Sequence, residues 1–154
     1  MYSLSALLSN TCLISVIVAW LLAQIIKIFT GYFNESHFNM TQFFCGTGGM
    51  PSSHSATVMA LFVSCAIRYG FASFEMAISA LLATIVMSDA MGVRYETGKQ
   101  ATVINELVKE IFSGKATDIN KNLKTLIGHT PFQVMVGGIL GTIVALVIGL
   151  VFKW

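Results

Sequence analysis

The chain has 154 residues, 55% of them hydrophobic and 10% charged, with a net charge of +2. A soluble domain carries roughly 25% charged residues, so this composition excludes a water-soluble globule and predicts one integral membrane domain. So small a net charge leaves no electrostatic footprint for nucleic acid.

Cys12, Cys45 and Cys65 are scattered, without the spacing of a zinc site or a disulfide framework. The N-terminus lacks the basic region and small-residue cleavage site of a signal peptide, so its first apolar run reads as a retained span. That run covers residues 11–30, about 20 residues, enough to cross roughly 30 Å of hydrocarbon. Lys27 falls in its last turn, where a lysine either snorkels to the headgroups or faces an anion. Residues 31–49 are polar and Gly-rich and read as a loop, with His37 solvated.

Gly48-Gly49-Met50-Pro51-Ser52-Ser53-His54-Ser55 follows, and the rest of the chain is organised around it. Two glycines permit a tight turn, and Pro51 suits a first helical turn. Ser52 and Ser53 then place hydroxyls and N–H groups at the positive end of a helix, a natural anion site. His54 either caps this helix or moves a proton near neutral pH. The second span, residues 51–68, is rich in small residues, which lets other helices approach closely and predicts a central position. The third span, 71–93, carries Asp89 near its end. A carboxylate there must face protein or water, paired with Arg94 or serving a site.

Residues 95–128 form a hydrophilic insert. Within it Ile104, Leu107, Val108, Ile111 and Phe112 recur at helical spacing, predicting an amphipathic surface helix over 99–113. Lys115, Lys121 and Lys124 lie in a basic loop able to meet anionic headgroups. Thr130 and Pro131 can cap and open the fourth span, 131–152. Gly137, Gly141, Ala145 and Gly149 give that span a small-residue face for tight packing on a helix, in the chain or in a second copy, so a homo-oligomer is open.

Four spans bring Lys27, the turn before His54, Arg94 and His129 to one side of the membrane. Lys109, Lys115, Lys121 and Lys124 on that side outnumber Arg68 and Lys153 on the other. The positive-inside rule then sets the site on the cytoplasmic face of a cell membrane, expected to be bacterial.

Pro51-Ser52-Ser53-His54 resembles the Pro-Ser-Gly-His motif of the type 2 phosphatidic-acid phosphatase superfamily, which includes vanadium haloperoxidases. The stretch from His129 through Gln133 to Gly141 resembles its last motif, a histidine followed by aspartate four residues later and a Gly-rich helix. Gly48 to Ala56, Asp89 to Arg94 and Gly128 to Pro131 look more closely like the divergent bacterial and plant branch of that superfamily. The likeness runs from about Ala23 to Gly141.

The resemblance implies a metal-independent phosphatase, without a cofactor, acting on a lipid phosphate. His129 matches the nucleophile that becomes a phosphohistidine, and His54 the acid that protonates the leaving alkoxide. Lys27, Ser52, the Ser53 N–H and Arg94 match the groups around the phosphoryl oxygens. Such a site suits phosphoryl transfer, which needs fixed positive charge and N–H donors about three equatorial oxygens.

This chain departs from the family pattern at several positions. Asn34-Glu35 stands for an Arg-Pro, Ser53 for a glycine and Gln133 for the aspartate. Arg94 and His129 are also separated by the long insert. A carboxylate on the far nitrogen of the nucleophile fixes its tautomer and stabilises positive charge. Gln133 offers the hydrogen bond without the charge, leaving Asp89 or Glu96 to supply it and Lys99 to replace the missing arginine. Two other functions stay open: a catalytically silent lipid-phosphate binder, favoured by Gln133, and a small transporter or flippase using Asp89 and Arg94.

Overall fold

The computed structural model describes residues 9–32, 50–112 and 129–154. These form five helices: α1 (Thr11–Tyr32), α2 (Ser53–Tyr69), α3 (Phe74–Met91), α4 (Val93–Phe112) and α5 (Pro131–Phe152). The protein is an all-α membrane bundle. By length and composition three stretches can cross a membrane: Thr11–Thr30, Phe74–Val108 and Pro131–Phe152. Four spans were expected. The remaining helix, α2, has 17 residues, about 25 Å of rise at the lower end of the lengths that span, and contacts at its two ends reach both ends of α1.

Burial is inverted relative to a soluble protein. The core consists of Ala19, Ala23, Ala56, Ala60 and Val144, whereas Leu21, Ile25, Phe29, Ile139, Ile143, Leu146 and Leu150 are exposed. Lipid tails are as apolar as leucine, so large side chains gain nothing by turning inward. Small ones let backbones close. Helix α2 packs against α1, α3 and α5, so the serine- and alanine-rich helix is central, as its composition predicts.

The glycine face of α5 is spent on α2. A Cβ at Gly141 would overlap the Ala56 carbonyl oxygen and lie 2.9 Å from its carbon; one at Gly137 would lie 3.1 Å from Ser55 Cβ. The face considered for dimerisation is therefore occupied inside the chain at these positions. At the far end of α5, Trp154 folds back, its backbone N–H donating to Gly149 O at 3.2 Å.

Helix directions follow from the end contacts. The Thr30 hydroxyl donates to Met50 O at 2.7 Å, and the Arg68 guanidinium donates to the Thr11 hydroxyl. Helices α1 and α2 therefore run antiparallel. The Ser52 N–H donates to Gln133 O at 3.2 Å, which starts α2 and α5 side by side and parallel. Gly70, at φ 83°, ends α2 in a conformation that favours glycine. The Ser73 hydroxyl then donates to Gly70 O and accepts from Met76 N–H, returning the chain as α3.

Two boundaries differ from expectation. Pro51 precedes α2 rather than opening it, after a cis peptide with Met50, and Ser52 is the N-cap. Helix α4 starts at Val93, six residues before the expected 99. Only Gly92 separates it from α3: the Gly92 N–H donates to Ser88 O and its carbonyl accepts from Glu96 N–H, so the hydrogen-bond ladder is carried across. Exposed Ile104, Leu107 and Ile111 form the apolar row of α4, as its periodicity predicts.

Candidate functional site

Among the described residues, three helix ends are tied together at the mouth of the bundle. Helices α2 and α5 both present their N-termini there, locked by the Ser52-to-Gln133 backbone bond, and α1 brings its C-terminal turn through the Thr30-to-Met50 bond. Two parallel N-termini side by side leave first-turn N–H groups that no helix consumes and two partial positive charges. That is the electrostatics an anion requires.

The two histidines occupy this end. His129 directly precedes the α5 cap and is 3% exposed. His54 is the second residue of α2 and is exposed. One imidazole is inside and the other at the rim. Lys27 is half-buried on α1. It continues the four-residue row of Ser15, Ala19 and Ala23, all fully buried, which places it on the packed face rather than among the lipid-facing residues.

The serines divide. Ser52 is fully buried, and its hydroxyl accepts from Ser55 N–H at 3.4 Å and from Ser55 Oγ at 2.9 Å. Its oxygen is thus engaged in capping α2 as well as lying at the mouth. Ser53 is 5% exposed and opens α2, so its N–H is among the first-turn donors.

Gln133 has a different partner from the one expected. Its Oε1 accepts from Thr130 N–H at 3.0 Å while its own N–H donates to the Thr130 hydroxyl at 3.4 Å. This reciprocal capping box ties down the start of α5. The oxygen expected to orient His129 is held by the backbone. The Thr-x-x-Gln spacing of residues 130–133 is the sequence signal for it. Removing either partner costs about 1 kcal/mol, a drop of about 2–4 °C in the unfolding midpoint at this chain length. Thr130→Ala and Gln133→Ala should therefore lower the midpoint of purified protein alike, and Gln133→Glu, which keeps the box, should not.

Asp89 is half-buried near the C-terminus of α3. It is one residue, about 100°, around the helix from buried Ala90, at the edge of the packed face. Lys99 and Glu96 are paired with each other: Nζ to Oε1 is 3.1 Å, with side chains 55% and 61% exposed. The Lys99 ammonium also lies 4.3 Å from the centre of the Tyr95 ring. The side chains expected to stand in for an arginine and for a carboxylate are thus engaged with each other. The side chain of Arg94, in the first turn of α4, lies outside the described residues, as do His37, Asn34, Glu35, Cys45 and the loop with Lys115, Lys121 and Lys124.

Other contacts carried weaker sequence signals. Asn10 caps α1, accepting from Leu13 N–H at 3.2 Å, and Arg68 reaches Thr11 across 57 residues. The first is an ordinary Asn cap, while nothing in local sequence announces the second.

The family model described as "Divergent PAP2 family" matches residues 8–144. An uncharacterized membrane protein, YuiD of Bacillus subtilis (strain 168), is 40% identical over 156 residues, covering 95% of this chain and 98% of that protein. No solved structure matches.

Proposed function

From a chain that belongs to the divergent PAP2 family, we propose a membrane lipid-phosphate phosphatase that needs no metal and works through a phosphohistidine. The observation that supports this most is the Ser52-to-Gln133 backbone bond. It holds the helix starts that carry His54 and His129 at one end of the bundle, beside the end of α1 that carries Lys27.

In the first step a ring nitrogen of His129 attacks phosphorus. The phosphorus–oxygen bond to the lipid breaks, and His54 gives its proton to the leaving alkoxide. In the second step water attacks phosphorus, His54 takes back a proton, the phosphorus–nitrogen bond breaks and inorganic phosphate leaves. The first-turn N–H groups of α2, with Lys27 and Arg94, stabilise charge on the equatorial oxygens. A site at the bilayer surface suits a phosphatidate-like or polyprenyl phosphate, and a cytoplasmic orientation agrees with the distribution of lysines.

Purified protein in phosphatidylcholine vesicles containing phosphatidate should release inorganic phosphate with a chelator present, and orthovanadate should inhibit it. Acid-labile label from a radioactive substrate should appear on His129. Binding of phosphatidate with no release of phosphate would instead favour a silent binder. That second reading is supported by the engagement of Gln133 in the capping box, which leaves its place without a carboxylate.

A further inference from the structure

Helices α2 and α3 enclose a groove of about 290 Å³, open along one side and lined by Met59, Phe62, Ala83, Thr84, Met87 and Ser88. We propose that it holds one hydrocarbon chain of the lipid whose phosphate sits at the mouth; this inference rests on the proposed function and extends it to substrate selection.

The placement comes from helical register. Ser52, Ser55, Met59 and Phe62 follow one another at three- and four-residue steps, so they form one stripe along α2. The groove therefore begins one turn below the buried serine pair at the α2 N-terminus. On α3 its lining ends at Ser88, at the same end of the bundle. Gly138 of α5 closes the upper part: a Cβ there would lie 3.4 Å from Met59 Cγ and 3.7 Å from Met87 Cε. Among the described residues, this groove is an apolar recess that starts at the same end of the bundle as the mouth.

Size and walls fit a single chain. The lining on α3 runs from Ala80 to Ser88, about 12 Å of rise, most of one leaflet's roughly 15 Å of hydrocarbon. The volume falls just under the range for ligand pockets, roughly 300–1,000 Å³, room for part of one chain and too little for two. Methionines at Met59 and Met87 are unbranched and adjust to a flexible ligand. On α5, by contrast, Ile139, Ile143 and Leu146 are exposed along the helix, a face that meets tails without enclosing one.

The test uses full-length protein in phosphatidylcholine nanodiscs with phosphatidate bearing a mid-chain diazirine, or diacylglycerol bearing the same chain. Irradiation should label peptides containing Met59, Phe62 and Met87. Phosphatidate should exceed diacylglycerol there by about tenfold, the ratio given by roughly 1.4 kcal/mol of phosphate anchoring. Thr84→Phe, on an exposed position at the groove edge, and Ala83→Phe should remove this label. Both should raise KM for long-chain substrate while leaving hydrolysis of a short, soluble phosphate ester unchanged. If Ala83→Phe fails to fold, Thr84→Phe decides. Equal labelling of the groove and the outer face of α5 overturns the proposal, as does equal labelling by diacylglycerol. Retained groove label in Thr84→Phe overturns it too. Specific groove labelling by a protein that releases no phosphate would sustain the groove and refute the catalytic reading alone.

Discussion

Gly141→Ala should prevent recovery of folded protein, and Gly137→Ala should come close to doing so. At Gly141 the added carbon meets backbone, 2.9 Å from the Ala56 carbonyl carbon and 3.0 Å from its Cα. Two helices would have to separate along a long contact, because neither backbone has a rotamer to change. Overpacking a core costs about 1–3 kcal/mol and occasionally more; a clash with backbone puts this position above that range. At Gly137 the obstacle includes the carbonyl of Ser52, whose N–H makes the bond to Gln133, so the mouth would be disturbed together with the packing.

Gly138→Ala and Gly149→Ala are the controls. Their nearest neighbours are the Met59 side chain and the Trp154 ring, each at 3.4 Å, and a flexible methionine can move. The series should be read as monodispersity and unfolding midpoint in detergent. The order of damage should be Gly141, then Gly137, then the other two. Equal tolerance at all four would mean that α5 does not lie against α2 as described.

Substituting the two histidines should each reduce phosphate release by about 10²–10⁴-fold, with different rescue. His54 is exposed, and its replacement by alanine should leave the midpoint nearly unchanged, as surface substitutions do. If it serves as the acid, a phosphate ester whose leaving group needs no protonation should restore much of the lost rate in His54→Ala. The same ester should not rescue His129→Ala, and phosphoenzyme should still form in the first variant and be absent from the second. His129 is buried, so removing it also opens space. His129→Gln, closer in size, keeps the comparison interpretable. Rescue of both variants by an activated ester, or of neither, would contradict the division of labour between them.

Much of the architecture was legible because membrane helices obey simple constraints. An apolar run of about 20 residues must satisfy its own backbone, so α1 and α5 follow from composition alone. A residue pattern that is small on one face and large on the other shows which face meets protein, so Gly137 and Gly141 announced close packing. Helix starts were read less well. Pro51 is compatible with the first turn of a helix or the position before a serine cap, and local propensity does not separate the two. Thr130 and Gln133 carry the capping-box spacing, and the same residues also fit the likeness to a His-x-x-x-Asp motif, so the pattern alone supports two partners for Gln133.

Residue composition and pattern were enough to make this protein an all-α membrane bundle of the divergent PAP2 family, with a small-residue helix at its centre. Period, length and hydrophobicity are properties of a single segment and need no partner to express. The Lys99–Glu96 pair and the Gln133–Thr130 capping box are three-residue contacts within one helix, available to local pattern. The packing of helix on helix supplied the rest: it turned Gly137 and Gly141 of α5 onto α2 and set the starts of α2 and α5 side by side. Both depend on distances between atoms far apart in the chain. A side chain with several acceptable partners takes the one that folding brings within about 3 Å.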